Sequence, residues 1–575
     1  MARSNASIGS TWKAMASQVE VRDCLFLGLV MLLSCILYIG DLGFYGDDWA
    51  FLRIFYLSEN QSLAGLIRST FETSNIWSSP PVRTWGPRPV QAIYEVLLYW
   101  LFGLNPFGYH LVNTTVLTAG VIGFYWVVRE LTGNRVLAIV VPMTYGLLPH
   151  YSTDRLWYAA FQANLSMALY FLSLFCDLKQ LKAKRNSLYA WKTLSLVSLI
   201  GSTLAYEVFI PLFCLNPLMV LYKKRRLQKS GVNTQLSRRT LALLLASNII
   251  VLTLILIFKA LASEPERTPT FSFSFIRWLS QQSLTASIDL SFGDYGTGLP
   301  RIIWKIVSTS ENMAVFVLTS ALVLFVCWYL SAVLRQSAAQ LPRRSTMLTL
   351  VFVGLLIAGL GYCLFYDYFK ITTGINNRVA IAASVGVALC LVGVSGWIAG
   401  FASSSYTANR VFCLAIVFLT GSGFLINNTI ASYWVAAYKK QQAILHGTRA
   451  QFPTLPKGST LILDGFCPYV GPGIVFEINW DVTGALGVMY RDGSLGGDVV
   501  KPWLQVVQGG ISLDGKTIAY PYDSLFVYNV RRNTGYHLKN ASVAREYFSM
   551  FPPDYNSECP SEYTGYDYGV GLRIF

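Results

Sequence analysis

Two adjacent acids, Asp47-Asp48, stand just past the first apolar stretch, in Leu42-Gly-Phe-Tyr-Gly-Asp-Asp-Trp49. Carboxylates at the edge of an apolar span cost free energy unless they are solvated, paired or used. Three further polar clusters sit between apolar stretches: Arg83-Thr-Trp-Gly-Pro-Arg88-Pro89, Pro149-His-Tyr-Ser-Thr-Asp-Arg155 followed by Trp157, and Asn376-Asn-Arg378. Together they offer acids, guanidiniums, an imidazole and aromatic faces. A positioned carboxylate accepts the proton of an attacking hydroxyl. Guanidiniums match phosphate oxygens in a bidentate way and stabilise charge that develops on a departing phosphate. The set therefore suits one reaction: transfer of a sugar from a polyprenyl phosphate, tail in the membrane and head at the interface, to a hydroxyl. A single displacement would invert the anomeric centre.

In that reading Asp47 or Asp48 is the base, and Arg88, Arg155 and Arg378 hold the donor phosphate. Trp49, Arg83, His150 and Asp154 are candidate substrate-binding residues, with sugar stacking expected at Trp49 or Trp85. Each has a plainer explanation. Asp47-Asp48 would equally be a solvated loop or the cap of a helix beginning near Trp49. Arg83 and Arg88 would anchor to lipid headgroups, and His150 would be an interfacial loop residue. Asp154 and Arg155 would form an exposed pair of little worth. Arg378 opens a helix, where the dipole disfavours a cation, so an anionic partner is expected. Glu207 is a candidate to line the cavity or pair with an arginine. No cofactor is implied with certainty. A divalent Mg or Mn would find oxygen ligands in Asp47, Asp48 and Asp154, although tandem residues rarely point the same way.

The elements that must position these residues are membrane helices. Of 575 residues, 53% are hydrophobic and 13% charged, and the mean hydropathy is +0.45; a soluble domain carries about 25% charge. The net charge of +15 lies in short basic runs between apolar spans, the pattern that orients membrane proteins, so no nucleic-acid partner is expected. Hydropathy predicts about eleven spans, the first an uncleaved signal anchor from Cys24 to Gly43. The others are Asn105–Val128, Val136–Leu148, Ala160–Cys176, Leu188–Tyr206, Phe209–Tyr222, Leu241–Leu261, Met313–Leu334, Met347–Phe365, Val379–Ile398 and Val411–Ile430. Basic loops at Lys179–Lys192, Lys223–Arg239 and Arg335–Arg344 place the N-terminus in the cytoplasm. The Asp-Asp loop and the C-terminal region then lie outside, with a bacterial inner (plasma) membrane as the expected location.

The chain divides into a transmembrane domain, 1–430, and an extracytoplasmic domain, 431–575, rich in Gly, Pro and Tyr. Ile511–Ile518 reads as a hairpin around Asp514-Gly515 and Ser524–Val530 as a strand, so this second domain is expected to be small and largely β. Eight of the ten cysteines sit in apolar spans as small hydrophobes. Cys467 and Cys559 are free to form one disulfide outside. No Cys-x-x-Cys or Cys/His spacing suggests zinc.

Gly46-Asp-Asp-Trp49, Arg88-Pro89, Gly108-Tyr-His-Leu-Val-Asn113 and Leu148-Pro-His-Tyr-Ser-Thr-Asp-Arg-Leu-Trp-Tyr158 resemble the C-type (GT-C fold) membrane glycosyltransferase superfamily. Within it the likeness is to bacterial family-39-like enzymes and the transmembrane tetratricopeptide-repeat O-mannosyltransferases. Asn377-Arg378-Val-Ala-Ile-Ala-Ala-Ser-Val-Gly386 is similar to the segment in which an arginine opens a late span of those enzymes. The resemblance implies a core of about seven transmembrane helices, horizontal helices in the first outer loop, a polyprenyl-phosphate-linked sugar donor and a catalytic acid at Asp47 or Asp48. The chain departs from the pattern in three places. Asp154 stands where the family often has Glu, no Pro-Ser follows Arg378, and no tetratricopeptide helices follow. The acceptor class, whether glycan, lipid or protein, stays open.

Two other functions fit a polytopic chain. A lipid-linked sugar transporter or polysaccharide polymerase would carry acids or arginines near span midpoints, and these spans are nearly free of them. A non-catalytic assembly subunit would use the C-terminal domain to bind a partner and would be insensitive to Asp47 and Asp48.

Overall fold

The structure, a computed structural model, describes residues 2–72, 86–231, 237–262, 298–309, 313–336, 341–364, 375–501, 504–512 and 519–551, with a few positions between 281 and 293. Arg83 and Trp85 lie outside the described residues, as do Cys559 and the Asp514-Gly515 turn. Cys467 is disulfide-bonded.

The protein is a polytopic helical membrane protein with a small C-terminal β region. Its helices are α1 (Ala2–Leu33), α2 (Asp47–Leu57), α3 (Leu63–Glu72), α4 (Pro89–Phe102), α5 (Pro106–Thr132), α6 (Arg135–Leu147), α7 (Phe161–Lys179), α8 (Arg185–Ala205), α9 (Asn216–Lys229), α10 (Arg238–Ala262), α11 (Gly298–Thr309), α12 (Met313–Arg335), α13 (Arg344–Tyr362), α14 (Ile381–Ala399), α15 (Ser405–Gln451), α16 (Asn479–Tyr490) and α17 (Ala541–Met550). Among the described residues seven helical segments are long and apolar enough to cross a membrane. An eighth counts if the pair Ser187–Ala205 and Glu207–Lys229, bent by 119°, is one broken span.

Hydropathy gives a higher count because it reads apolar residues and not helix ends. The helix carrying the first apolar stretch stops at Leu33, and the chain continues in turns through Asp41. The 13 residues of α6 contain Pro142 and reach about 20 Å at 1.5 Å per residue, short of the ~30 Å hydrocarbon core. The stretches at 188–206 and 209–222 are the two arms of the bent pair.

Local signals set the helix ends that matter here. Asn105 caps α5 by accepting the Phe107 N–H, Pro106 occupies its first turn, and Gly133 closes it in the left-handed region. These are the expected start and stop chemistries. The α14 span is central, 89% buried, whereas those of α10 and α12 are 22% buried and turn Leu254, Leu324 and Trp328 outward, as lipid-facing helices do.

The two ends of the bundle differ in charge. At the end of α5, Glu130 is ringed by Lys179, Lys182 and Lys223 at 2.7, 3.7 and 3.2 Å. Arg135 nearby pairs with buried Asp23 and donates to Gln336. The three basic loops therefore share one face. Near the start of α5, about 25–30 Å away along the helix, His110 lies 3.2 Å from the Gly43 carbonyl, and Asn113 donates to the Asp154 carbonyl at 3.0 Å. The acidic clusters occupy this second face.

Helix α15 carries the C-terminal region there. Its 47 residues extend about 70 Å, more than twice the membrane core. The boundary expected at 430/431 falls inside this continuous helix. Beyond it, β1 (Thr460–Asp464) lies parallel to both β2 (Gly496–Val499) and β3 (Leu525–Asn529), and β4 (Thr534–His537) completes the sheet antiparallel to β3. Strand alternation sends Leu461 and Leu463 to one face and Ile462 to the other. The first two share a core with Val482 and Leu486 of α16 and with Trp49, Phe51 and Leu52 of α2. Ile462 packs with Ala544 and Tyr547 of α17. One sheet face is thus joined to the first polar loop of the bundle by a common apolar core.

Candidate functional site

The two tandem acids at the start of α2 have different tasks. Asp48 is fully buried, and both its oxygens accept main-chain N–H groups, from Tyr45 and Ala159, each at 2.8 Å. It ties the turn before α2 to the Tyr158–Ala160 turn that leads into α7. Trp157 adds to the same joint, its indole donating to the Tyr45 carbonyl at 2.8 Å. Asp47 keeps partial access to solvent. Its Oδ1 accepts the indole N–H of Trp480, from α16, at 3.0 Å. The guanidinium of Arg378 faces it and opposes the upward push of burial on its carboxyl, as does the Trp480 bond.

Arg378 stands in the turn Ile375–Ala380 that leads into α14. Neighbouring Asn377 fixes that turn on the third cluster, accepting the Thr153 N–H at 3.1 Å and donating to Ser152 Oγ at 3.0 Å. The Arg378 guanidinium lies 5.0 Å from the Trp157 ring centroid. Asp154, on the short helix Thr153–Leu156, is fully buried, and among the described residues neither carboxylate oxygen has a hydrogen-bond partner. Burial pushes its carboxyl well up; Arg378 and, second, Arg155 pull against that shift. A buried carboxylate without hydrogen bonds is expensive, so the Arg378 charge is what Asp154 relies on. Asp47, Arg378 and Asp154 are therefore one electrostatic unit drawn from three distant stretches of sequence.

The other arginines point elsewhere. Arg155 donates to the Gly146 carbonyl and, at 3.4 Å, to Ser34 Oγ, with Tyr151 beneath it at 5.5 Å. It braces α1 against α6. Arg88, at the start of α4, forms a bidentate pair with Glu207, and Lys259 joins them, donating to Glu207 at 3.2 Å and to the Pro87 carbonyl at 2.9 Å. Trp49 is buried in the apolar core of α2, and His150 is buried in the turn Pro149–Tyr151. Asp48 is committed to amide N–H groups, and among the described residues no three His, Cys, Asp or Glu side chains come together to hold an ion.

No family model matches the chain, and no curated protein does. Among solved structures it is similar to ArnT from Cupriavidus metallidurans bound to undecaprenyl phosphate, at 13% identity over 82% of this chain and 84% of that one, with a TM-score of 0.34. It is also similar to the archaeal oligosaccharyltransferase AglB from Archaeoglobus fulgidus, in complex with an inhibitory peptide and a dolichol-phosphate, at 12% identity, 83% and 64% coverage and a TM-score of 0.36. Likeness at that level is one of outline, and no residue role rests on it.

Two residues near Asp47 come from the C-terminal region and were not expected from the sequence. Trp480 is hydrogen-bonded to Asp47, and Glu477, three residues earlier, is close enough for the Asp47 charge to act on it. Burial, with Asp47 adding to it, lifts the Glu477 carboxyl to about 7, against the opposing effects of Tyr469 and Lys501. The only sequence signal was the aromatic-acidic run Glu477-Ile-Asn-Trp-Asp481 in a Gly-rich region.

These residues reach Asp47 because α16 lies directly on α2. A Cβ at Gly484 would meet the Trp49 carbonyl carbon at 2.4 Å and the Ala50 nitrogen at 2.7 Å. Gly484→Val is expected to lift α16 and destabilise the protein by about 1–3 kcal/mol, the usual cost of overpacking. A thermal unfolding midpoint equal to that of the parent would show that the two helices do not need this close approach.

Proposed function

We propose that the protein transfers a sugar from a polyprenyl-phosphate donor to a hydroxyl acceptor on the extracytoplasmic face of a membrane, with inversion. The observation that carries this reading is the grouping of Asp47, Arg378 and Asp154 at the membrane face opposite the basic loops. Asp47 accepts the proton of the acceptor hydroxyl as the new C–O bond forms at the anomeric carbon. The bond from that carbon to the phosphate oxygen breaks, and the electron pair leaves with the phosphate. Arg378 stabilises the charge that develops there, and Asp154 supplies a counter-charge to it. Arg88 and Arg155, committed to Glu207 and to Gly146 and Ser34, are assigned to positioning rather than to the phosphate. No step requires a metal at Asp48.

Trp480 holds Asp47 and favours its ionised form, the form a base needs. Trp480→Phe keeps the ring and removes the donor, so the Asp47 carboxyl should rise further from its ordinary range. A base works only when deprotonated. The acid limb of the pH–rate profile should therefore move to higher pH, with little change at its plateau. The groups facing Asp47 are Arg378, Glu477, Asp48 and Trp480, and only Trp480 is altered. A profile that falls at every pH without shifting would assign Trp480 to packing alone.

The direct test of the reading is incubation of purified protein with a polyprenyl-phosphate sugar. Release of polyprenyl phosphate that needs Asp47 supports it. Equal release by Asp47→Asn would remove Asp47 from the chemistry.

A further inference from the structure

A cavity of about 410 Å³ opens between α2, α3 and α16, and Trp480, which hydrogen-bonds Asp47, is part of its lining. That volume lies in the range of about 300–1,000 Å³ usual for small-ligand sites. Its lining is polar and apolar in about equal measure: Arg53, Ser58, Ser69, Asn479 and Thr483 supply polar groups, Ala50, Ile54 and Leu57 apolar ones, and Trp480 an aromatic ring. The Ser58 hydroxyl donates to the Asn60 carbonyl and that of Thr483 to the Gly497 carbonyl, so toward a ligand they act as acceptors; such acceptors with the Asn479 amide around one indole suit a ligand with many hydroxyls and an apolar C–H face, which is the surface of a pyranose ring. A lipid tail would meet a polar wall at a cost. An extended peptide would need an unpaired sheet edge or a series of apolar pockets, and three helices provide no ladder of free main-chain groups. The groove does not favour an anion strongly either, because Arg53 donates to the Gly493 carbonyl and is faced by Asp492.

We propose that this groove binds the saccharide portion of a neutral acceptor, with Trp480 as the wall it shares with the Asp47 site. The proposal rests on the transfer reading above and names its acceptor class. The non-reacting sugar units would lie in the groove, and the terminal hydroxyl would pass the edge of Trp480 to Asp47. This placement explains why the C-terminal region, and not the membrane helices, supplies the residue that hydrogen-bonds the candidate base.

The test uses the full chain in lipid nanodiscs. Saturation-transfer NMR is recorded with chitotriose, mannotriose and isomaltotriose as probes, and a hydrophilic heptapeptide as a second class. Undecaprenyl phosphate binding is measured in parallel on the same samples. At least one trisaccharide should bind, and its signal should fall at least tenfold in Ser58→Trp, which fills the groove, and in Trp480→Ala, which removes the aromatic wall. Ser58→Trp should bind undecaprenyl phosphate as the parent does, which shows that it is folded. No trisaccharide signal, a signal unchanged in both variants, or binding of the peptide alone would overturn the proposal. Undecaprenyl phosphate binding that is absent, or that is unaffected by Arg378→Ala, would instead count against the transfer reading itself, so the two failures are distinguishable.

Discussion

Asp47→Asn should lower sugar transfer by about 10²–10⁴-fold, the usual worth of a positioned general base, and leave the fold intact. Asn keeps an oxygen that can accept the Trp480 N–H, so the local geometry survives while the proton acceptor is lost. The neighbouring substitution should behave in the opposite way. Asp48→Ala strands the N–H groups of Tyr45 and Ala159 in the interior, at about 1–3 kcal/mol for each buried group left unsatisfied. The result should be a lower unfolding midpoint, with activity falling only as folded protein is lost. Initial rates and thermal midpoints on both variants separate these outcomes. Full activity in Asp47→Asn, or a stable but inactive Asp48→Ala, would exchange the two roles or remove them.

Arg378→Ala should have the second largest effect, about 10²–10³-fold in turnover, the loss seen when one donor to a developing oxyanion is removed. Two further consequences distinguish it from a packing defect. Arg378 is the first-named counter-charge for both Asp47 and Asp154. Without it both carboxyls rise, ionised Asp47 appears only at higher pH, and residual activity should show an acid limb displaced upward. Among the groups that oppose its burial Asp154 would keep Arg155 alone, so the loss of stability that begins as pH rises past the unfolded carboxyl's value of about 4 should continue to a higher pH than in the parent. Arg378→Lys, which keeps the charge without the planar fork, should recover part of the pH profile and less of the rate. An unshifted profile in both variants would show that Arg378 does not face the working carboxylate.

The helical class and the four polar clusters were legible from composition and spacing, because apolar runs and the charges between them are local properties of the chain. The alternation of loop charge also puts these clusters on one face, but which side chains touch was not legible. The pairing of Asn377 with Thr153 and Ser152 spans more than two hundred residues, and nothing in either segment names the other. The difference between Asp47 and Asp48 was also hidden. It depends on where two main-chain N–H groups point after the Tyr158–Ala160 turn is formed, and tandem acids look alike in a sequence. Arg155 and Arg88 have the right chemistry for a phosphate, and their pairing with the Gly146 carbonyl and with Glu207 could not be read from the segments that carry them. The site's debt to the C-terminal region was the least visible feature. It follows from a glycine at position 484 that lets one helix lie on another, and a single glycine in a Gly-rich stretch gives no warning of that.

The most direct test of the central claim is a cryo-EM map of the full chain in nanodiscs with undecaprenyl phosphate. Phosphate density within hydrogen-bond reach of the Arg378 guanidinium, beside Asp47 and with the lipid tail running into the bilayer, is the result expected. Phosphate density at Arg88 and Lys259 instead, with Arg378 and Asp47 closed off by protein, would contradict it.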